Sequence, residues 1–143
     1  MARHELKPEP GTVADAFSRD AAPVLTISPG DELRVETLDV LGHLEPPRFP
    51  GDERPRMFPT FRGHCLVGPI EVAGARPGDL LAVHLRRMRP GPWGFTLAGG
   101  HDTALNRRLG LDRPSWLLWE LDDLSGTARC DLGFEVDLAP FLG

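Results

Sequence analysis

Sixteen glycines and fifteen prolines among 143 residues give this chain about twice the usual share of these two turn formers. A proline inside a helix removes a hydrogen bond and clashes with the preceding turn, and an interior glycine costs about 1 kcal/mol against alanine. Punctuation this dense restricts the chain to short strands joined by many turns. The length suits one domain, at roughly 100–200 residues per domain. Such a chain buries about two-thirds of its unfolded surface and stands without disulfides.

The pattern between the breakers is that of strands. Pro23–Ser28 is short and β-branched, and Glu32–Leu38 alternates apolar and polar residues, the period of a half-buried strand. Order returns at Cys65–Val72, and Leu80–Arg86 alternates again. Pro29-Gly30-Asp31-x-Leu33-x-Val35 recurs 48 positions later as Pro77-Gly78-Asp79-x-Leu81-x-Val83. Proline presets the first turn dihedral, glycine accepts positive φ, and aspartate bonds back to the turn backbone. The repeat therefore reads as two hairpin-entry turns of a duplicated β unit. Ser115–Leu121 and Gly133–Leu138 supply two more strands, and residues 102–110 the one helix, with Asp102 as N-cap and Gly110 beyond its end. From 43 to 63, prolines 46, 47, 50, 55 and 59 forbid a regular element, so a long exposed loop is expected. The expected fold is mainly β, a jelly-roll-like β-sandwich of short strands with one short helix. A flexible segment over 1–22 precedes a single domain over 23–143.

Composition removes several chemistries. Lys7 is the only lysine and sits between prolines and charges, so Schiff-base, phosphate-loop and lysine-dependent amidase chemistry lack their residue. No Gly-x-Ser-x-Gly elbow and no Gly-x-Gly-x-x-Gly loop is present. A net charge of −5 argues against tracking a phosphate backbone, so no nucleic-acid partner is expected. No stretch approaches the roughly 18 apolar residues of a membrane span, and no leader is evident. Cys65 and Cys130 stand far apart and read as reduced thiols of a cytoplasmic protein.

The stretch His64-Cys65-Leu66-Val67-Gly68-Pro69-Ile70-Glu71-Val72-Ala73-Gly74-Ala75-Arg76-Pro77-Gly78-Asp79, continuing to Leu85, resembles the acetamidase/formamidase family. Ser28–Leu33 with Val35–Asp39, Trp93-Gly94, and Ala139-Pro140-Phe141-Leu142-Gly143 agree with other segments of that family, so the resemblance spans about residues 20–143. It implies a hydrolase acting on carbon–nitrogen bonds of small linear amides, releasing ammonia, and dependent on a divalent metal, zinc foremost. Family members run to twice this length. Their later Gly-Gly-Asn-Met-Asp, Asp-x-His and Gly-Asp-Gly-Glu motifs do not occur here, which implies an N-terminal portion inactive alone. The expected partners are the amide, the missing C-terminal half or a second chain, and further copies in a homo-oligomer. A stand-alone β-sandwich module binding a small molecule or another chain is the rival reading.

A hydrolytic metal needs about three converging His, Asp, Glu or Cys ligands and an open position. His43, His64, His84 and His101, with Asp39, Glu71, Asp102 and Cys65, are the available donors, and no two histidines share a ligand spacing. Asp39 ends an alternating strand and opens the long loop, and His64 begins the family-like motif; these two are the expected catalytic residues. Trp93, between Pro92 and Gly94, is expected to wall an apolar substrate pocket. His101 and Asp102, after two glycines, are the expected metal ligands.

Overall fold

The computed structural model describes residues 1–60 and 62–141. Phe61, in the proline-rich segment, and Leu142 and Gly143, at the end of the family-like Ala139–Gly143 run, lie outside the described residues. The architecture is mainly β and sandwich-like in class, with small sheets and one short helix. The chain divides into two compact units, Met1–Glu45 with Arg54–Ala82, and Pro46–Glu53 with Val83–Gly143. A single domain over 23–143 was expected. The proline-rich segment is shared between the two units instead, 46–53 going to the second.

In the first unit, β1 (Arg3–Leu6) runs parallel to β4 (Glu32–Val35), with His4 opposite Leu33 and Leu6 opposite Val35. β3 (Leu25–Ile27) runs parallel to β6 (Ile70–Val72), and β2 (Val13–Ala14) antiparallel to β5 (Leu66–Val67). Residues 1–22, expected to be flexible, thus carry two paired strands. Asp15 also holds Arg62, whose backbone N–H and guanidinium donate to its carboxylate at 3.1 and 2.8 Å. Charged and proline-flanked text hid these strands, because a parallel neighbour can hold residues with no strand period of their own.

Both copies of the Pro-Gly-Asp repeat form the same turn. Asp31 N–H donates to Ser28 O and Asp79 N–H to Arg76 O, each at 3.0 Å. Each carboxylate accepts the backbone N–H three residues back, at 3.0 Å from Ser28 and 2.8 Å from Arg76. Gly30 and Gly78 sit at φ 87° and 99°, the positive region that a turn with proline before glycine demands. Beyond the turns the two copies diverge. The first feeds β4, whereas Leu80–Arg86, expected as a strand, has no strand partner among the described residues. Alternation supplies a face to bury, but a strand exists only where a neighbour takes its backbone hydrogen bonds.

The second unit is a four-stranded antiparallel meander in the order β10-β9-β8-β7. Its strands are β7 (Trp93–Ala98), β8 (Ser115–Asp122), β9 (Thr127–Cys130) and β10 (Glu135–Asp137). Register puts Trp119 opposite Cys130 and Leu121 opposite Ala128, so the buried Ala128 and Cys130 share one face with Trp119. Phe95 and Trp116 meet on the other face, ring centroids 5.3 Å apart. The helix α1 (Ala104–Leu109) starts later than expected. Thr103, not Asp102, is its N-cap, its hydroxyl accepting Asn106 N–H at 3.1 Å. Gly110 closes it at φ 67° as foreseen.

Candidate active site

The segment 43–63, expected to be a solvated loop, contains the three buried polar or charged residues found among the described residues: His43, Asp52 and Arg54. Prolines remove backbone donors but leave carbonyls and side chains able to bond, and here side chains replace the missing ladder. Arg48 donates to Asp52 from its backbone N–H and both ends of its guanidinium at 2.9–3.1 Å. Arg54 Nη1 donates to Glu45 O at 2.7 Å. Two backbone bonds, Leu44 N–H to Pro55 O and Met57 N–H to Gly42 O, close the segment on itself around the His43–Arg56 bridge.

At the mouth of this segment Asp39 holds His43 in two ways. Its Oδ1 accepts the His43 backbone N–H and its Oδ2 lies 2.7 Å from Nδ1 of the ring. Two lone pairs cannot face each other at that separation, so a proton stands between them. Asp39 Oδ2 then accepts from Nδ1–H. Arg54 Nη2 lies 3.0 Å from the same Nδ1. A guanidinium only donates, and Nδ1 is already protonated, so this contact brings positive charge beside the Asp39–His43 pair. His43 is 3% exposed, and in so dry a place a fixed charge acts through a low effective dielectric.

Gly42 lets the loop close on its neighbour. At φ 70° a side chain there would meet Cys65 Cβ and Sγ at 3.3 Å. Cys65 N–H donates to Val40 O at 3.0 Å, which ties the start of the family-like motif to the loop carrying Asp39. Burial, and then the Asp39 charge, push the Cys65 thiol up, so it stays protonated at neutral pH and is no thiolate nucleophile. His64, one residue earlier, is exposed.

The expected site residues therefore divide. Asp39 and His64 belong to the first unit; Trp93, His101 and Asp102 belong to the second. Trp93 opens β7 opposite Glu120, half-buried. His101 and Asp102 are exposed and line an open hollow of about 250 Å³ with Asn106 and Arg107. Asp102 pairs with Arg107 at 3.2 Å. Among the described residues no group of three or more His, Cys, Asp or Glu side chains could hold a metal ion. Among the described residues, then, the donors do not assemble the set of about three ligands that a hydrolytic divalent metal takes. His43 is the residue the sequence undervalued. Its signal was the four-residue step from Asp39 across a glycine, which lets one carboxylate reach both backbone and ring.

A family model described as the Acetamidase/Formamidase family matches residues 3–143. A formamidase of Methylophilus methylotrophus is 32% identical over 88 residues, 59% of this chain and 21% of that protein. A putative formamidase of Schizosaccharomyces pombe is 32% identical over 74 residues, 50% of this chain and 18% of that protein. The chain thus matches about a fifth of the length of these curated relatives. A crystal structure of a recombinant predicted acetamidase/formamidase from Thermoanaerobacter tengcongensis shares the fold, with a TM-score of 0.66 at 23% identity, over 88% of this chain and 39% of that one.

Proposed function

Because this chain belongs to the acetamidase/formamidase family, we propose that it forms part of an enzyme that hydrolyses the carbon–nitrogen bond of small linear amides, releasing ammonia. The family match over residues 3–143 carries this reading. The Asp39–His43 pair gives it chemistry. Amide hydrolysis needs a base to take a proton from the attacking water and an acid to give one to the departing amine. His43, oriented by Asp39 through Nδ1, is the residue proposed for both duties in turn. Asp39 is then a positioning residue, and Arg54 keeps positive charge beside the pair. His64 stands on the exposed flank of the same loop system as the residue to meet substrate. His101 and Asp102 are two donors, short of the roughly three that a hydrolytic zinc takes, and no step here passes through a metal.

On the same reading the 143 residues alone do not turn over amide, since they match only 39% of the solved relative and assemble no metal-ligand group among the described residues. Their partners are the amide, the polypeptide that completes a family-length enzyme, and a second copy of the chain; their setting is the cytoplasm. Ammonia release from formamide and acetamide tests both halves. We expect none above a metal-only blank for the 143-residue chain with or without zinc. For this chain together with a polypeptide that completes a family-length enzyme we expect turnover, lost in His43→Ala. Turnover by the short chain, or none by the completed enzyme, overturns the proposal.

A further inference from the structure

Residues 12–15 grip the chain on both sides of His64. On one side, Asp15 Oδ2 accepts the Arg62 backbone N–H at 3.1 Å, and Asp15 Oδ1 accepts from Arg62 Nη2 at 2.8 Å. Arg62 Nε lies 3.3 Å from both carboxylate oxygens. Gly63 follows, so close that a Cβ there would stand 2.9 Å from the backbone oxygen of Asp15. On the other side, Ala14 pairs with Leu66 and Val13 with Val67, and Gly68 N–H donates to Thr12 O at 2.9 Å. His64 lies between the two holds and is itself exposed. All of these residues belong to the first unit.

On the reading in which His64 meets the amide, we propose that Asp15 is the positioning residue that fixes where His64 stands. An exposed side chain changes rotamer within nanoseconds, so what a fold can fix for such a residue is its backbone. The pairing of β2 with β5 is two residues long, too short to hold that backbone alone. Asp15 extends the hold past His64, setting a carboxylate that is 14% exposed against a guanidinium that is 79% exposed. An ion pair so open to water adds little stability. Its forked, charge-assisted geometry adds orientation instead. Hydrogen bonding from the Arg62 side chain, above all, keeps the Asp15 carboxyl below the usual carboxylate range, so the fork stays charged at neutral pH. Gly63 completes the fit, since a larger residue would prise the chain off Asp15 right beside the histidine. Such support matters because a misplacement of about 1 Å at a substrate contact can cost on the order of a hundredfold in rate.

Backbone amide NMR relaxation of the 143-residue chain tests the hold, and formamide kinetics of the completed enzyme test its use. In the wild type we expect an order parameter of about 0.85 at His64, falling below about 0.6 in Asp15→Ala while Leu25–Ile27 stay rigid. Asp15→Asn keeps an acceptor for the Arg62 N–H and should fall between the two. Gly63→Ala leaves the carboxylate intact but parts the backbones, and should loosen His64 as well. If Asp15→Ala does not fold, Asp15→Asn and Gly63→Ala decide. With the completing polypeptide, Asp15→Ala should raise KM for formamide roughly tenfold with kcat little changed. In a His64→Ala background it should add nothing. A wild-type His64 that is already mobile, or one as rigid in the variants as in the wild type, overturns the proposal. So do Asp15→Ala and His64→Ala losses that add in full. If His64→Ala alone leaves formamide turnover unchanged, it is the role of His64 that fails, and the order parameters still decide whether Asp15 holds it.

Discussion

The Asp39 carboxylate binds one residue, His43, through both of its oxygens, one on the backbone N–H and one on the ring, each at 2.7 Å. The loop cannot move its histidine without breaking its own turn, so ring orientation and loop shape are a single property. Asp39→Ala removes both bonds and leaves the donors of the buried His43 unmet, at about 1–3 kcal/mol. Asp39→Asn can still accept the backbone N–H, but its amide confronts the ring proton. We expect urea unfolding to rank wild type above Asp39→Asn above Asp39→Ala.

Acid should weaken the first unit through Asp31. The Ala2 backbone N–H above all, then His4 and the Ser28 N–H, hold its carboxyl well below the usual carboxylate range. The unfolded carboxyl takes up its proton near pH 4, the folded one only in much stronger acid. Between those points the unfolded state binds more protons, so the stabilisation is complete above about pH 4 and declines as pH falls below it. Asp31→Asn should flatten this acid limb in unfolding measured against pH, while near neutrality it lowers stability without changing its slope. An unchanged acid limb would remove Asp31 from the account.

Two glycines with similar positive φ should respond differently to alanine. At Gly99, φ 75°, a Cβ would stand 2.5 Å from Arg113 O and 2.9 Å from Leu111 O, both backbone atoms. At Gly110, φ 67°, it would meet nothing within 4 Å. Gly110→Ala should cost about 1 kcal/mol in backbone strain alone. Gly99→Ala adds a backbone collision and should cost roughly 3 kcal/mol or more. Thermal melting of the two variants gives the comparison.

The helix cap offers a similar contrast. Thr103→Ala removes the hydroxyl that accepts Asn106 N–H and should cost about 0.5–2 kcal/mol. Asp102→Ala removes an ion pair whose carboxylate is 81% exposed and should leave melting almost unchanged. Equal losses would return the cap to Asp102.

Much of the strand content was legible because alternation and turn chemistry are local. Leu25–Ile27, Glu32–Val35, Ile70–Val72 and Ser115–Asp122 fall in or very near the expected runs, and both Pro-Gly-Asp turns use aspartate as their composition implied. β7 was obscured by Gly94 and by aromatic residues that read as a pocket wall. β1 was obscured by charge, since its place depends on a parallel neighbour almost thirty residues away. The same non-locality decided the 43–63 segment. Five prolines announce the absence of a ladder, but they do not announce that Arg54, Asp52 and His43 will find carbonyls and carboxylates to be buried against. For the site, Asp39 was visible at the end of its strand, whereas its bond to His43 rests on a loop closure that no period encodes.

Residues 46–53 interrupt the first unit in sequence yet belong with the second, where Gly51 lies close to the indole nitrogen of Trp116. During synthesis this short stretch leaves the ribosome well before the strands it will join. At roughly 5–20 residues per second it waits several seconds for Trp116 to emerge, held meanwhile only by its own ends at Glu45 and Arg54. The Arg54 bond to the Glu45 carbonyl clasps those two ends.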